Sequence, residues 1–355
     1  MAPKIGVLTF HRCINYGSYW QGRHLVNGLR EMGLDAVLLD HRSGAIDKAE
    51  FRCALQPTLP IRSTRADRLR YRLKTARFLQ EVEKLPLSPP FDLDEPSTMG
   101  EYDLVVVGSD EVWNLFHPWY GGQRLFYGDG IKADRLVSYA ASFGNYPADW
   151  GLDTEHSDLL KKFDIITVRD ENSRTLVTTA TGRENELVLD PCLQFAPERL
   201  RPALVHDDTP VAVYGHTFSP SLSQNIRRWA DNKGLRLISI GYRNEWAHEQ
   251  LLDAGPRVFY ELFENARAVV TNFFHGCVFA IRNAVPFLCE TSPYRSNKVQ
   301  GLVTALGCPW RLVSDQAPDA PYPEILETPL GSTVLTRLGE LRSTSDSVLR
   351  QALAS

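Results

Sequence analysis

Short apolar runs bounded by polar or small residues recur along the chain, and stretches of helical spacing separate them. Residues 4–10 have the pattern of a buried strand. Residues 18–32 place apolar positions on one helical face, and Gly33 supplies a stop. Residues 35–40 form a second short strand, so the chain opens β-loop-α-β, the start of a parallel sheet. Further strands are expected at 103–107, 136–139, 165–168 and 187–189. After Pro202 the alternation restarts. Strands are expected at 210–214, 235–240, 268–271 and 286–289, with helices at 222–232, 261–266 and 275–284.

This pattern predicts an α/β protein of two Rossmann-like domains facing a cleft. The first spans 1–195 and carries a basic helical insert at about 41–100. The second spans 205–330, and a C-terminal helix follows over 331–355. Pro197, Pro202 and the Asp207-Asp208 pair interrupt the pattern near 193–208 and mark a linker. Ligand sites in such folds lie at the carboxyl ends of the strands. Within the insert, residues 65–84 read as a helix with Leu69, Leu73, Ala76, Leu79 and Val82 near one face. Arg65, Arg68, Arg70, Arg72, Lys74 and Arg77 fill other positions. They form either a solvated face or a contact for an anionic acceptor or a membrane surface.

Composition narrows the function classes. At 43% hydrophobic and 23% charged residues, the 355-residue chain can build packed cores and is not a disordered or repetitive polymer. A net charge of −4 argues against a dedicated nucleic-acid binder. The six cysteines are scattered with no CxxC pair, which points to a reducing compartment. The first ten residues resemble a strand, not a secretory leader. The most apolar stretch, 268–289, is broken by Asn272, His275, Arg282, Asn283 and Pro286, which disfavours a membrane span. A cytoplasmic location follows as an expectation.

Five segments place reactive or anion-binding groups just after strands. Asn15-Tyr16-Gly17-Ser18 opens a helix, where Gly17 permits close approach and free N–H groups suit an anion. Gly108-Ser109-Asp110 ends an apolar strand. There Asp110 either serves a sugar hydroxyl or, with Ser109, caps the next helix. The small residues of 138–144, including Ser142, allow either ligand approach or close packing. Arg169 suits bidentate contact with a carboxylate or phosphate, or a salt bridge. His275, at the start of an apolar helix, is a candidate acid, base or anion ligand, or a buried hydrogen-bonded histidine. P-loop, GxSxG and HExxH motifs are absent, and no metal is expected.

Taken in order, Asn15-Tyr-Gly, Gly108-Ser-Asp-Glu-Val-Trp-Asn, Ser138-Tyr-Ala-Ala-Ser-Phe-Gly, Val168-Arg-Asp, Leu189-Asp-Pro and Phe274-His-Gly, with Lys298 beyond, resemble the polysaccharide pyruvyl transferase family over roughly residues 5 to 305. The resemblance implies a GT-B-like fold and no cofactor. It implies phosphoenolpyruvate as donor, a sugar diol as acceptor, a pyruvate ketal as product, and release of phosphate. It associates Arg169 and His275 with the donor, and Asn15, Gly17, Ser142, Gly276 and Lys298 with its binding. Asp110 is expected to act on the acceptor hydroxyl, and the saccharide acceptor is expected to be lipid-linked, with peripheral membrane contact through the 65–84 helix. Many members carry arginine two residues before the histidine, where this chain has Phe273, so one donor-site cation is either missing or supplied elsewhere, by Lys298 or Arg295. Competing expectations are a GT-B glycosyltransferase using a nucleotide sugar, a binding protein without turnover, and pyruvyl transfer to a non-polysaccharide acceptor.

Overall fold

A computed structural model describes residues 3–195, 209–291, 296–317 and 320–354. The chain separates into two compact units. One comprises residues 1–50, 82–195 and 339–355, the other residues 51–81 and 196–338.

The first unit is built on a parallel sheet ordered Asp35–Leu38, Lys4–Leu8, Tyr102–Val107, Ala133–Ser138. Single bridges from Val137 to Ile165 and from Ala141 to Val168 continue the pairing to Thr167–Val168. Val105, Val106 and Val107 are fully buried, as a strand covered on both faces requires. Trp113, Phe126, Tyr127 and Phe143 fill the core on one side. The Trp113 indole N–H donates to the Phe126 carbonyl at 2.8 Å, so this large ring is buried without an orphaned donor.

The second unit carries a six-stranded sheet ordered Glu249–Leu251, Leu237–Ile240, Val211–Tyr214, Ala268–Thr271, Phe287–Thr291, Leu312–Ser314. Every pair is parallel, and the order is that of a doubly wound sheet. Helix Pro220–Lys233 shows how sequence sets the boundaries. The Ser219 hydroxyl accepts from the Leu222 N–H, Pro220 occupies the first turn, and Gly234 ends the helix at φ 66°.

The expected insert differs from its prediction in two ways. Residues 51–81 pack with the second unit, not the first. Helix Arg65–Val82 also presents the opposite face to the one its leucines suggested. Asp67, Tyr71, Lys74, Thr75, Phe78 and Val82 are buried, while Leu69 is 64% and Leu73 52% exposed. Polar anchoring explains the rotation. Asp67 pairs with Arg243, Arg70 and Arg77 grip Asp253 at 2.7 and 2.8 Å, and Lys74 donates to the Gly241 carbonyl at 3.2 Å. Three of the six basic residues are therefore internal ties. The C-terminal helix, Ser332–Ala354, gives residues 339–354 to the first unit. There Ser345 accepts from the Leu189 N–H at 2.9 Å. All six cysteines are free thiols. Among the described residues, no helix is long and apolar enough to cross a membrane.

Candidate active site

In the first unit, the strand order reverses between Lys4–Leu8 and Tyr102–Val107, so the loops beyond them diverge and leave a crevice. Gly108 lies at φ 114°, and a Cβ there would sit 2.4 Å from the Tyr139 carbonyl oxygen. Only glycine fits. The chain then turns through Asp110 at φ 79°, a conformation that aspartate tolerates better than most residues. No regular helix follows at once, so neither Ser109 nor Asp110 acts as the helix cap that was one expectation. Ser109 donates to the Ala140 carbonyl at 2.9 Å and its own carbonyl accepts from Thr9 at 2.9 Å.

Asp110 is the centre of a buried network. Ser18 donates to one carboxylate oxygen at 2.6 Å. The other accepts from Arg169 at 3.2 Å and from the Glu111 N–H at 2.9 Å. The second terminal nitrogen of Arg169 donates to Asp190 at 3.0 Å. Side-chain exposures of 2% for Arg169, 9% for Asp110 and 1% for Asp190 leave little solvent screening. Burial alone would lower the Arg169 pKa, but Asp110 and Asp190 outweigh it and hold the pKa above the ordinary arginine value. Arg169 thus clamps two carboxylates, as the salt-bridge alternative for it anticipated.

Two other predicted contacts also find internal partners. The Asn15 side chain caps its own helix, accepting from Gly17 N–H at 2.8 Å and Ser18 N–H at 3.4 Å, so these N–H groups are not free for an anion. Ser142 is fully buried, donates to Asp170 at 2.6 Å and accepts from the Gly144 N–H at 2.9 Å. It braces the loop that follows strand Ala133–Ser138.

A charged cluster that the sequence reading did not single out lies beside this network. Asp40 is buried against Arg12, Arg42 at 2.9 Å and His11 at 3.4 Å. These partners overcome the cost of burial and hold its carboxyl well below the usual range. His41 donates to the Thr9 carbonyl at 2.9 Å. Burial, with repulsion from His11, lowers its pKa to about 3. The native state therefore binds a proton at His41 less readily than the unfolded chain does. Its contribution is fully present above the unfolded value of about 6.5 and is lost as pH falls toward 3. Urea midpoints of the wild type should drop from pH 7 to pH 4.5, by at most about 1.4 kcal/mol per pH unit from this group, and His41→Gln should flatten that slope.

The second sheet has its own reversal, between Val211–Tyr214 and Ala268–Thr271. The two loops there are tied together. Asn272 donates to the His216 carbonyl at 2.7 Å, and the Thr271 hydroxyl donates to the Tyr214 carbonyl at 2.6 Å. Gly215, at φ 148°, is required because a Cβ would stand 2.2 Å from the Asn272 side-chain oxygen. That oxygen is buried and has no hydrogen-bond partner among the described residues. His275 is the second residue of the nine-residue helix Phe274–Arg282, within the positive end of its dipole, and is 9% exposed. Gly276 has a packing reason: a Cβ would fall 2.0 Å from the Thr271 hydroxyl oxygen.

Phe273 occupies an aromatic nest, with ring centroids 5.0 Å from Tyr214, 5.3 Å from His216 and 5.5 Å from Tyr242. His216 and Asn272 are the site residues the sequence reading left out. The signal for His216 was available, because Gly215-His216 follows a strand just as Gly108-Ser109 does. Lys298 is half-buried on helix Ser296–Ala305. Arg295 lies outside the described residues.

The sequence profile described as "Polysaccharide pyruvyl transferase" matches residues 15–292, which spans both halves of the fold. The chain belongs to the polysaccharide pyruvyl transferase family. No curated protein sequence matches it significantly. Among solved structures it is similar to a putative UDP-N-acetylglucosamine 2-epimerase from Listeria monocytogenes, with TM-score 0.56 and 10% identity over 96% of this chain and 91% of that one. It is also similar to the UDP-GlcNAc 2-epimerase of Methanocaldococcus jannaschii, with TM-score 0.54 and 13% identity over the whole of both chains. A trehalose 6-phosphate synthase from Burkholderia multivorans gives TM-score 0.50 and 12% identity over 100% of this chain and 97% of that one. At these identities the likeness is one of fold. The pyruvyl transferase chain shares the α/β, GT-B-like architecture of two parallel sheets.

Proposed function

We propose that this pyruvyl transferase uses phosphoenolpyruvate as donor and a sugar diol as acceptor, and forms a cyclic pyruvate ketal. The observation that supports the reading most is His275-Gly276 at a helix start beside the strand-order reversal of the second sheet. A helix N-terminus favours the dianionic phosphate, and the imidazole is suited to proton transfer. His275 protonates the donor methylene carbon or contacts the departing phosphate. One acceptor hydroxyl adds to the enol carbon, phosphate leaves, and the second hydroxyl closes the ketal. The methylene becomes a methyl with one hydroxyl proton, and the other proton leaves on the inorganic phosphate. Asp110 orients the acceptor hydroxyl or takes its proton. Arg169 is a positioning residue that holds Asp110 against Asp190. Lys298 replaces the arginine absent at Phe273. Phosphate release from phosphoenolpyruvate that depends on an added diol saccharide, with a new ketal methyl signal in the product by NMR, is the expected result. Release of a nucleoside diphosphate from a nucleotide sugar, or no phosphate release with any diol, would count against the reading.

The helix Arg65–Val82 is read as a contact for an anionic surface, which would suit a lipid-linked acceptor. Arg65, Arg68 and Arg72 are exposed and have no ion pair among the described residues, and Leu69 and Leu73 stand exposed between them. A cationic face interleaved with aliphatic side chains suits an anionic lipid interface. Charge reversal of the three arginines should abolish cosedimentation with vesicles containing phosphatidylglycerol while leaving phosphoenolpyruvate binding unchanged.

A further inference from the structure

The first unit carries an aromatic cluster that no role above uses. Phe116, Tyr146 and Trp150 meet with ring centroids 5.0 Å apart for Phe116 and Tyr146, 5.4 Å for Phe116 and Trp150, and 6.1 Å for Tyr146 and Trp150. Phe116 is 44% and Trp150 68% exposed. Exposing two large rings costs free energy that a monomer seldom accepts without a use for the patch. The cluster is also held in place. The Tyr146 hydroxyl donates to the Gly151 carbonyl at 2.9 Å, and Asn172 bonds the Tyr146 carbonyl and the Ala148 N–H at 2.9 and 3.0 Å. The Phe116 N–H donates to Asn114 at 2.9 Å.

Polar groups border the rings. The Asn114 amide donates to Glu111 at 2.7 Å and to the Asn145 side-chain oxygen at 3.0 Å. Gly144 lies beneath them without a side chain: a Cβ there would stand 2.2 Å from a Glu111 carboxylate oxygen. In segments 111–116 and 145–150 the charged residues are Glu111 and Asp149, and neither segment holds a cation. These two segments therefore offer no cation to a phosphate, carboxylate or nucleotide ligand. Ring faces beside amide and carboxylate groups suit a neutral pyranose, whose C–H face lies on an aromatic ring while its hydroxyls hydrogen-bond at the edge. Segment 111–116 begins at Glu111, immediately after Asp110, the group assigned to the acceptor hydroxyl.

We infer that Phe116, Tyr146 and Trp150 form a docking platform for a neutral pyranose unit of the saccharide acceptor, with Glu111, Asn114 and Asn145 as its hydrogen-bonding edge. Calling that saccharide the acceptor rests on the transferase reading; the platform itself does not.

Saturation-transfer NMR on the full chain with methyl pyranosides of glucose, galactose, mannose and N-acetylglucosamine tests it. At least one sugar should receive saturation at its ring C–H protons. The signal should fall at least fivefold in Trp150→Ala and Phe116→Ala and persist in Trp150→Phe. Phosphoenolpyruvate binding, measured in parallel by calorimetry, should be unchanged in all three. No transfer to any sugar, or transfer unaffected by both alanine substitutions, would overturn the platform even if phosphoenolpyruvate binds. So would a dimer in sedimentation velocity that Trp150→Ala dissociates without altering any sugar signal, since the patch would then bind a second copy. Sugar binding at the platform with no phosphoenolpyruvate binding would leave the platform standing and remove the transferase reading.

Discussion

Arg169→Met should destabilise the protein by about 3–5 kcal/mol, because it strands two carboxylates with little access to water. Asp110 and Asp190 each touch one terminal nitrogen of the same guanidinium, and their side chains are 9% and 1% exposed. The cost arises from the unpaired charges left behind, not from any large net value of the intact bridges. Arg169→Lys should recover part of the loss, since one ammonium cannot span both partners as a planar fork does. Adding Asp190→Asn to Arg169→Met removes one stranded charge and should restore a measurable fraction of stability. Urea unfolding of the three variants, read by a signal from the first unit, checks this. An Arg169→Met variant as stable as the wild type would mean that the network is dispensable.

The second large effect is on turnover. His275→Gln should lower kcat by about 10²–10⁴-fold, the range for losing a positioned acid or base. Glutamine keeps a polar side chain at the helix start but cannot exchange a proton near neutral pH. The unfolding midpoint should move less than for Arg169→Met, because glutamine keeps a polar side chain of similar size at the helix start. Unchanged kcat in His275→Gln would remove the residue from proton transfer and confine it to donor contact.

The fold was largely readable because apolar runs and strand ends carry it. Ala268–Thr271 and Ser332–Ala354 lie where the pattern places them, and the first four expected strands and the four of the second series fall in the two main sheets, whereas Glu249–Leu251 and Leu312–Ser314 were not expected. The helix Arg65–Val82 marks the limit of that method. Its existence was legible, but its buried face was set by Asp67, Arg70, Lys74 and Arg77, whose partners Arg243, Gly241 and Asp253 lie far along the chain. Periodicity counts leucines and has no access to such long-range ties. The same limit applies to residues 41–100. The chain stays in the first unit through residue 50, passes to the other for 51–81 and returns at 82, a path that only tertiary contacts define.

Site residues followed a similar division. Sequence position identified Asp110, Arg169 and His275 as strand-end or helix-start groups, and all three occupy such places. Their partners were not legible. Arg169 was read for the charge it offers a ligand, whereas two carboxylates from separate loops already hold it. Ser142 and Asn15 were read as ligand-facing, but short-range hydrogen bonds engage both. The aromatic patch at Phe116 and Trp150 escaped notice because exposure, not residue type, makes it unusual.

On the proposed function, the second unit receives phosphoenolpyruvate at the start of helix Phe274–Arg282. Calorimetric titration of the full chain with phosphoenolpyruvate, set against uridine and guanosine diphosphates and repeated with His275→Gln, tests it most directly. The account predicts saturable phosphoenolpyruvate binding that weakens at least tenfold in His275→Gln, and no comparable nucleotide binding. Selective binding of a nucleoside diphosphate, with none of phosphoenolpyruvate, would contradict it and favour a nucleotide-sugar glycosyltransferase.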